Sequence, residues 1–426
     1  MTAVITRPNV NEILAGSKSI YVSGFSAEIE KAPALFHDAR PRNATVTGLF
    51  SPLVNHQSYA DAEIGLRVRS FFLTKALKQN LATGLVDYCP WRYGRVDRWL
   101  AESGRFDTAL VMLTPPDERG QCSLGVQVDF LPSFIGKVEN VVGFINPRMP
   151  RTLGDTQVNY RSLTAVVDYA APLLNLAQRP PDETTVNIAR TIIDLIPDGA
   201  TVQFGIGQVP SQVLAGLVGH RGLCIHSGVI DDNILALEAS GALDRDKPIV
   251  TGTAVGGKDF YDVLGDSRFL FRAVAYTHAY TTIASIRRFI AVNSVLQIDL
   301  LGQVSAEGSG GRLVASPGGQ PDFARGALDS EGGASIVSVR ARRAGEHSGG
   351  IVPLLDSPCL VTSGGVDVDI VVSEFGAASV RNLSMDGRAE AIIAIAAPED
   401  QEHLTREWVR IRRDLFRRSA QRTSPN

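Results

Sequence analysis

Short runs of consecutive apolar residues, rich in Val and Ile, recur at positions 19–23, 108–113, 141–145, 201–205, 336–339 and 368–373. Many are apolar throughout instead of alternating, a pattern that predicts strands buried on both faces of a sheet. Amphipathic stretches of helical length lie between them, at 183–196 and 231–241 among others. This alternation predicts mostly parallel sheets flanked by helices, an α/β protein. A last helix is expected over 402–418, where Leu404, Trp408, Ile411 and Leu415 share one face and the arginines lie on a solvated one.

The pattern repeats once on a larger scale. Residues 19–36 read as strand, small-residue turn, proline (Pro33) and apolar helix. Residues 201–217 follow the same order, with Gly205-Ile206-Gly207 at the turn, then Pro210 and Val213-Leu214. Two such openings predict two related α/β halves. The stretch 175–185 carries Pro180-Pro181 and few apolar side chains, so domains over 1–180 and 181–426 are expected. A chain of 426 residues is long enough for two cores.

Charge and composition narrow the partners. Lys plus Arg number 42 against 45 Asp plus Glu, a formal charge of −3. That balance provides no large field for nucleic acid or an anionic membrane, so an anionic ligand must be held by a local site. Residues 1–18 lack a signal-peptide core, and no apolar run approaches the roughly 20 residues that span a bilayer. The cysteines Cys89, Cys122, Cys224 and Cys359 are scattered singly, which fits a reducing compartment. A cytoplasmic protein is expected. The 7 histidines are dispersed without an H-x-x-x-H pair, so no metal site is expected. A homo-oligomer, most simply a homodimer, is the default for a soluble enzyme.

Two glycine-rich segments carry candidate chemistry. Gly205-Ile206-Gly207-Gln208-Val209-Pro210 follows a predicted strand and precedes a helix. Such a turn exposes backbone N–H groups that suit an anion or a developing oxyanion, although it serves equally well as a plain turn. A dinucleotide fingerprint requires a third glycine where Pro210 stands, which disfavours that cofactor. The second segment runs Gly310-Gly311, Ser316-Pro317-Gly318-Gly319-Gln320-Pro321-Asp322-Phe323, then Arg325-Gly326. Its paired glycines let a ligand approach the backbone, and Gln320, Asp322 and Arg325 add polar groups of different kinds.

Several blocks resemble the acetyl-CoA hydrolase/transferase family. They include Thr114-Pro115-Pro116-Asp117 with Cys122-Ser123-Leu124-Gly125, and Asn146-Pro147-Arg148-Met149-Pro150-Arg151-Thr152 followed by Gly154-Asp155. In the second half they include Val292-Asn293-Ser294, Ile298-Asp299-Leu300-Leu301-Gly302-Gln303, the Gly318–Phe323 loop and Val372-Ser373-Glu374-Phe375-Gly376. The resemblance implies two related open α/β domains of the class I CoA-transferase type, with the active site between them. It is similar to acetate and 4-hydroxybutyrate CoA-transferases. It therefore implies acyl-CoA and a small carboxylate as partners, coenzyme A as substrate, and no permanently bound cofactor. Gly205 and Gly207, with Gly318, Gly319, Gln320, Asp322 and Arg325, are the expected CoA-binding or oxyanion residues. The family's chemistry uses a glutamate that attacks the thioester and passes through an anhydride to an enzyme–CoA thioester.

The sequence departs from that pattern where it matters most. The family's nucleophile lies in a His-Ser-Glu-type stretch, and here the stretch reads His226-Ser227-Gly228. Gly228 has no side chain with which to form an anhydride. Ser316 stands where the family shows glycine, the arginine expected around 348–353 is missing, and an Arg-Gly pair reads Arg381-Asn382. Glu307, near the glycine-rich loop, is a candidate base for activating water, unless it is an ordinary exposed loop carboxylate. His226 is a second candidate base if it faces the cleft from a strand end. Glu238 is expected on the surface of a helix opened by Asp231-Asp232, Ser227 lacks a Ser–His–Asp setting, and Glu374 is expected to be structural or part of the CoA pocket. Phe71, Phe72, Trp91 and Tyr93 are either an acyl-binding wall or core. Three readings follow: CoA transfer to a carboxylate, hydrolysis of an acyl-CoA by water, or a CoA-binding partner subunit without turnover.

Overall fold

A computed structural model describes residues 8–102, 104–176, 180–342, 349–355 and 359–421. Ser348, at the start of the segment where the resemblance calls for an arginine, lies outside the described residues, as do residues 1–7 of the N-terminal segment. Two large sheets carry the fold. The first has seven strands in the spatial order Ala165–Asp168, Asn140–Ile145, Thr108–Leu113, Ser19–Val22, Thr45–Gly48, Arg67–Ser70 and Val86–Tyr88. All its pairings are parallel. The Thr108–Leu113 strand is buried at every position, as its unbroken apolar run requires between two helical layers.

The second sheet has nine strands, and Thr201–Phe204 lies between Phe289–Ser294 and Cys224–Asp231. Its pairings are parallel except at the Gly376–Ser379 edge. The opposite edge is Leu153–Gly154, which comes from the first half of the chain and pairs with Phe269–Phe271. Other bonds also cross between the sheets: the Val128 and Asp129 N–H groups both reach the Gly252 carbonyl at 3.2 Å. Buried apolar side chains from both sheets, Tyr21 and Val292 among them, form one continuous core.

Both predicted strand–turn–helix openings are formed. Ser19–Val22 leads to the helix Ala32–Ala39, and Thr201–Phe204 leads to Gln208–Gly216, each helix with a proline in its first turn where no N–H partner is needed. Each of these strands sits where the strand order reverses direction, so the loops beyond its carboxyl end frame a crevice. The amphipathic stretch at 183–196 forms the helix Glu183–Leu195, and the terminal helix is longer than expected, Pro398–Gln421.

One boundary differs in a way that moves the site. The helix expected from Asp231 begins at Asn233, and the strand before it runs for eight residues, Cys224–Asp231. Asp231 still pairs with Val255 in the ladder while its carboxylate accepts the Asn233 N–H at 3.1 Å. His226, Ser227 and Gly228 therefore lie inside a strand and not at its end. Among the described residues, no helix is long and apolar enough to cross a membrane.

Candidate active site

A cavity of about 260 Å³ opens at the carboxyl ends of the two reversal-point strands. The first sheet contributes Phe25 and Leu49 from the loops after its central strands, with Phe72 and Tyr93 beyond them. The second contributes Phe204, Gly205 and Ile206 from its turn, Gln203 and Asn293 from strands, and Gly228 and Val229. The loop residues Ser316, Gly318, Gly319 and Gln320 close the remaining side. Among the described residues, none that lines the cavity is an Asp or a Glu.

The polar groups in the cavity are neutral. Gln203 and Asn293 bond reciprocally through their amides, Asn293 Nδ2 donating to Gln203 Oε1 at 3.1 Å. Gln320 Oε1 accepts the Ser363 hydroxyl at 2.9 Å, while its buried Nε2 has no partner among the described residues. A buried donor left unpaired costs about 1–3 kcal/mol, which a ligand acceptor reaching Nε2 would recover. Gly318 adopts φ +57°, and its carbonyl accepts the Tyr93 N–H at 3.2 Å, tying the loop to the first sheet.

His278 occupies the space beside Gly228. A Cβ built on Gly228 would stand 2.8 Å from His278 Cε1 and 2.9 Å from its Nε2, and one on Gly319 would also strike that nitrogen. The ring is held between Tyr93, centroids 4.7 Å apart, and Phe323, centroids 4.4 Å apart. Its Nδ1 lies 2.9 Å from Thr277 Oγ1. Burial pushes the imidazole down to about 3, with His226 adding to the effect. His278 thus stays neutral at physiological pH. Nothing in the sequence singles it out. It lies fifty residues from Gly228, outside every glycine-rich segment, on a four-residue helical turn (Val274–Thr277) that it ends.

The expected site residues separate into two groups. Gly205, Gly228, Gly318, Gly319 and Gln320 line the cavity. Gly207, Asp322, Arg325, His226 and Glu307 are not among its lining residues. Gly207 is the N-cap of Gln208–Gly216 at φ +134°, a conformation that favours glycine. Asp322 is buried and pairs with Arg92, and it accepts the Gly94 N–H at 2.9 Å. Arg325 is exposed and stands 3.8 Å from Asp367. His226 does not face the cleft as a free base: its Nε2 is 2.9 Å from the Thr277 carbonyl, and burial pushes its pKa down.

Glu307 departs from one of the two readings given to it. It is only 3% exposed, so it is not an ordinary loop carboxylate. Its oxygens accept the hydroxyls of Thr362 at 3.1 Å and Tyr88 at 3.3 Å. Burial raises its pKa, and these two hydrogen bonds oppose the shift. The Ser316 hydroxyl joins the same cluster, its oxygen 3.0 Å from that of Tyr88. Glu238 pairs with Arg268, and Glu374 caps the N–H groups of Ala341 and Arg342. Of the aromatic set, Phe72 and Tyr93 face the cavity, whereas Phe71 and Trp91 pack with Trp99.

Comparisons with known proteins agree with this arrangement. Family models described as the acetyl-CoA hydrolase/transferase N-terminal and C-terminal domains match residues 36–171 and 256–408. The chain is 32% identical to the 4-hydroxybutyrate coenzyme A transferase of Clostridium kluyveri, over 80% of this chain and 82% of that one. The crystal structure of RipA from Yersinia pestis superimposes with a TM-score of 0.85 at 27% identity, covering 96% of this chain and 97% of that one. The 4-hydroxybutyrate CoA-transferase from Porphyromonas gingivalis superimposes with a TM-score of 0.76 at 26% identity, covering 95% and 96% of the two chains.

Proposed function

The chain belongs to the acetyl-CoA hydrolase/transferase family, and we propose that it cleaves an acyl-CoA by passing the acyl group to water. The observation that carries this reading is the lining of the cavity, which among the described residues includes no carboxylate and holds His278 against Gly228. Transfer of CoA through the enzyme needs a side-chain carboxylate, because only an acyl group on the protein can hold CoA as a thioester. An imidazole offers no such acyl group. Water needs a polarised carbonyl and room to approach it, and a cavity of about 260 Å³ lined by apolar walls and a few amides supports that reading.

The acyl end of the substrate fits the apolar side of the cavity, formed by Phe25, Leu49, Leu53 and Phe72. The thioester then lies near Gly228, Gly319 and the Gln203–Asn293 amide pair. The test is mass spectrometry of the pure protein with a panel of acyl-CoAs, with and without acetate, succinate and 4-hydroxybutyrate. Free CoA formed without an acceptor supports hydrolysis. A new acyl-CoA formed only with an acceptor establishes transfer instead, and intact substrate throughout leaves a binding protein without turnover on that panel.

A further inference from the structure

Around His278 Nε2 the protein presents glycine backbone in place of side chains. Gly228 and Gly319 both lack the Cβ that would collide with it, and among the described residues no group hydrogen-bonds to it. The ring faces are covered by Tyr93 and Phe323, so the nitrogen edge is the part left to the cavity. A polar nitrogen cleared on two sides by glycines and opening on an apolar-walled cavity is placed for a ligand.

The hydrogen bonds on the far side of the ring bear on which nitrogen carries the proton. The Ala273 carbonyl already accepts the N–H groups of Tyr276 at 2.9 Å and Thr277 at 3.0 Å, which fills both of its lone pairs. The Thr277 hydroxyl is 3.3 Å from that carbonyl but 2.9 Å from His278 Nδ1. With the hydroxyl proton on Nδ1, the nearer of the two acceptors, Nε2 carries the hydrogen, and this is the tautomer the proposal below requires and its first readout tests. The Thr277 carbonyl is held in turn by His226 at 2.9 Å. The titratable neighbours, Tyr93 and His226, are themselves held neutral by burial.

We propose that His278 is a catalytic residue of this cleft, whose neutral imidazole donates Nε2–H to the carbonyl oxygen of the bound acyl group. This rests on the reading of the cavity as an acyl-CoA site. As the water oxygen bonds to the carbonyl carbon, the π pair moves onto the carbonyl oxygen, and Nε2–H stabilises the charge there. The pair then returns, the C–S bond breaks, and a proton from the water ends on the CoA sulfur. The products are a carboxylic acid and free CoA, and no enzyme-bound acyl group forms. An imidazole held neutral is a poor base for water but a sound hydrogen-bond donor, a use of histidine known where an electrophile is needed.

The experiment uses three readouts on the full chain. Nitrogen-15 NMR of histidine-labelled protein reads the tautomer directly, with His278 assigned by comparison with His278→Gln; Nε2 is expected to be protonated and Nδ1 not. Carbon-13 difference infrared spectroscopy of a bound 2-oxopropyl thioether of CoA reads polarisation of its carbonyl. A lowered stretch is expected in the wild type, lost in His278→Phe and partly kept in His278→Gln, which retains an N–H. Turnover is expected to fall about 10²–10³-fold in His278→Phe, in kcat more than in KM, with partial rescue in His278→Gln. A protonated Nδ1 in the wild type overturns the proposal, as does an unchanged carbonyl stretch in His278→Phe with the analogue bound; both leave the acyl-CoA reading intact. Failure of the analogue to bind the wild type defeats that reading and this proposal together.

Discussion

His278 stands in the volume that a side chain on Gly228 would need: a Cβ there would lie 2.8 Å from Cε1 of the imidazole. The glycine at 228 and the buried histidine are therefore one structural arrangement. The strand that carries Gly228 and the turn that carries His278 are joined again by the 2.9 Å contact between His226 Nε2 and the Thr277 carbonyl.

Restoring the carboxylate alone is accordingly expected to fail. Gly228→Glu forces side-chain atoms into the imidazole and costs about 1–3 kcal/mol of stability through overpacking. Removing the ring as well, in Gly228→Glu/His278→Ala, relieves the collision, so the two changes combine with a coupling of about 0.5–3 kcal/mol instead of adding. Urea unfolding of the four proteins measures this. The double variant also puts a carboxylate into the cavity, and acceptor-dependent formation of a new acyl-CoA is the expected gain.

The histidine leaves a signature in stability against pH. His278 is held at about 3 in the fold, against an ordinary value of 6.5. Below pH 6.5 the unfolded chain binds a proton that the folded chain refuses until about pH 3. The contribution is thus complete above pH 6.5 and is lost on acidification at about 1.4 kcal/mol per pH unit. His226, also depressed, has the same sign. The stability gap between the wild type and His278→Gln is expected to narrow from pH 6.5 to 4.5, and a constant gap in urea unfolding contradicts this.

Much of the fold was legible from patterns that burial alone imposes. The run 108–113 is apolar throughout because the Thr108–Leu113 strand is covered on both faces. The two proline-bearing helix starts followed from φ restriction at Pro33 and Pro210. Gly228 was legible as a position because its neighbours form a motif. His278 was not, since Tyr276-Thr277-His278 has no distinctive spacing and its meaning comes from packing across fifty residues. The one available signal was the vacancy itself: a lost carboxylate leaves buried volume that some other side chain must fill. The burial of Glu307 was not legible for a related reason, because only the fold brings Tyr88 from the first sheet onto its carboxylate.

Glu307 is expected to act through stability. Glu307→Gln weakens the bonds from Tyr88 and Thr362 and costs about 1–3 kcal/mol, while turnover per folded molecule stays within a few-fold of the wild type. Thermal unfolding and kcat measured on the same preparation separate the two. A collapse of kcat without a loss of stability would return Glu307 to the chemistry.

The pair between Arg92 and Asp322 joins the first sheet's side of the cleft to the helix that begins at Gln320. Arg92→Ala leaves the Asp322 carboxylate buried with the Gly94 N–H, and a loss of about 1–3 kcal/mol is expected. Burial already raises the Asp322 pKa, and the arginine opposes that. Its removal therefore shifts the titration of Asp322 upward, readable by carbon-13 NMR of labelled aspartate; an unshifted Asp322 contradicts the assignment.

The central claim is that the acyl group passes directly to water in a cavity without a carboxylate nucleophile. Its most direct test is turnover of an acyl-CoA in oxygen-18 water without any acceptor, followed by mass spectrometry of the released acid and of the intact protein. The account predicts free CoA, one labelled oxygen in the carboxylate, and a protein mass that carries neither an acyl group nor CoA. Turnover that begins only when a carboxylate acceptor is added, with CoA attached to the protein, would contradict it.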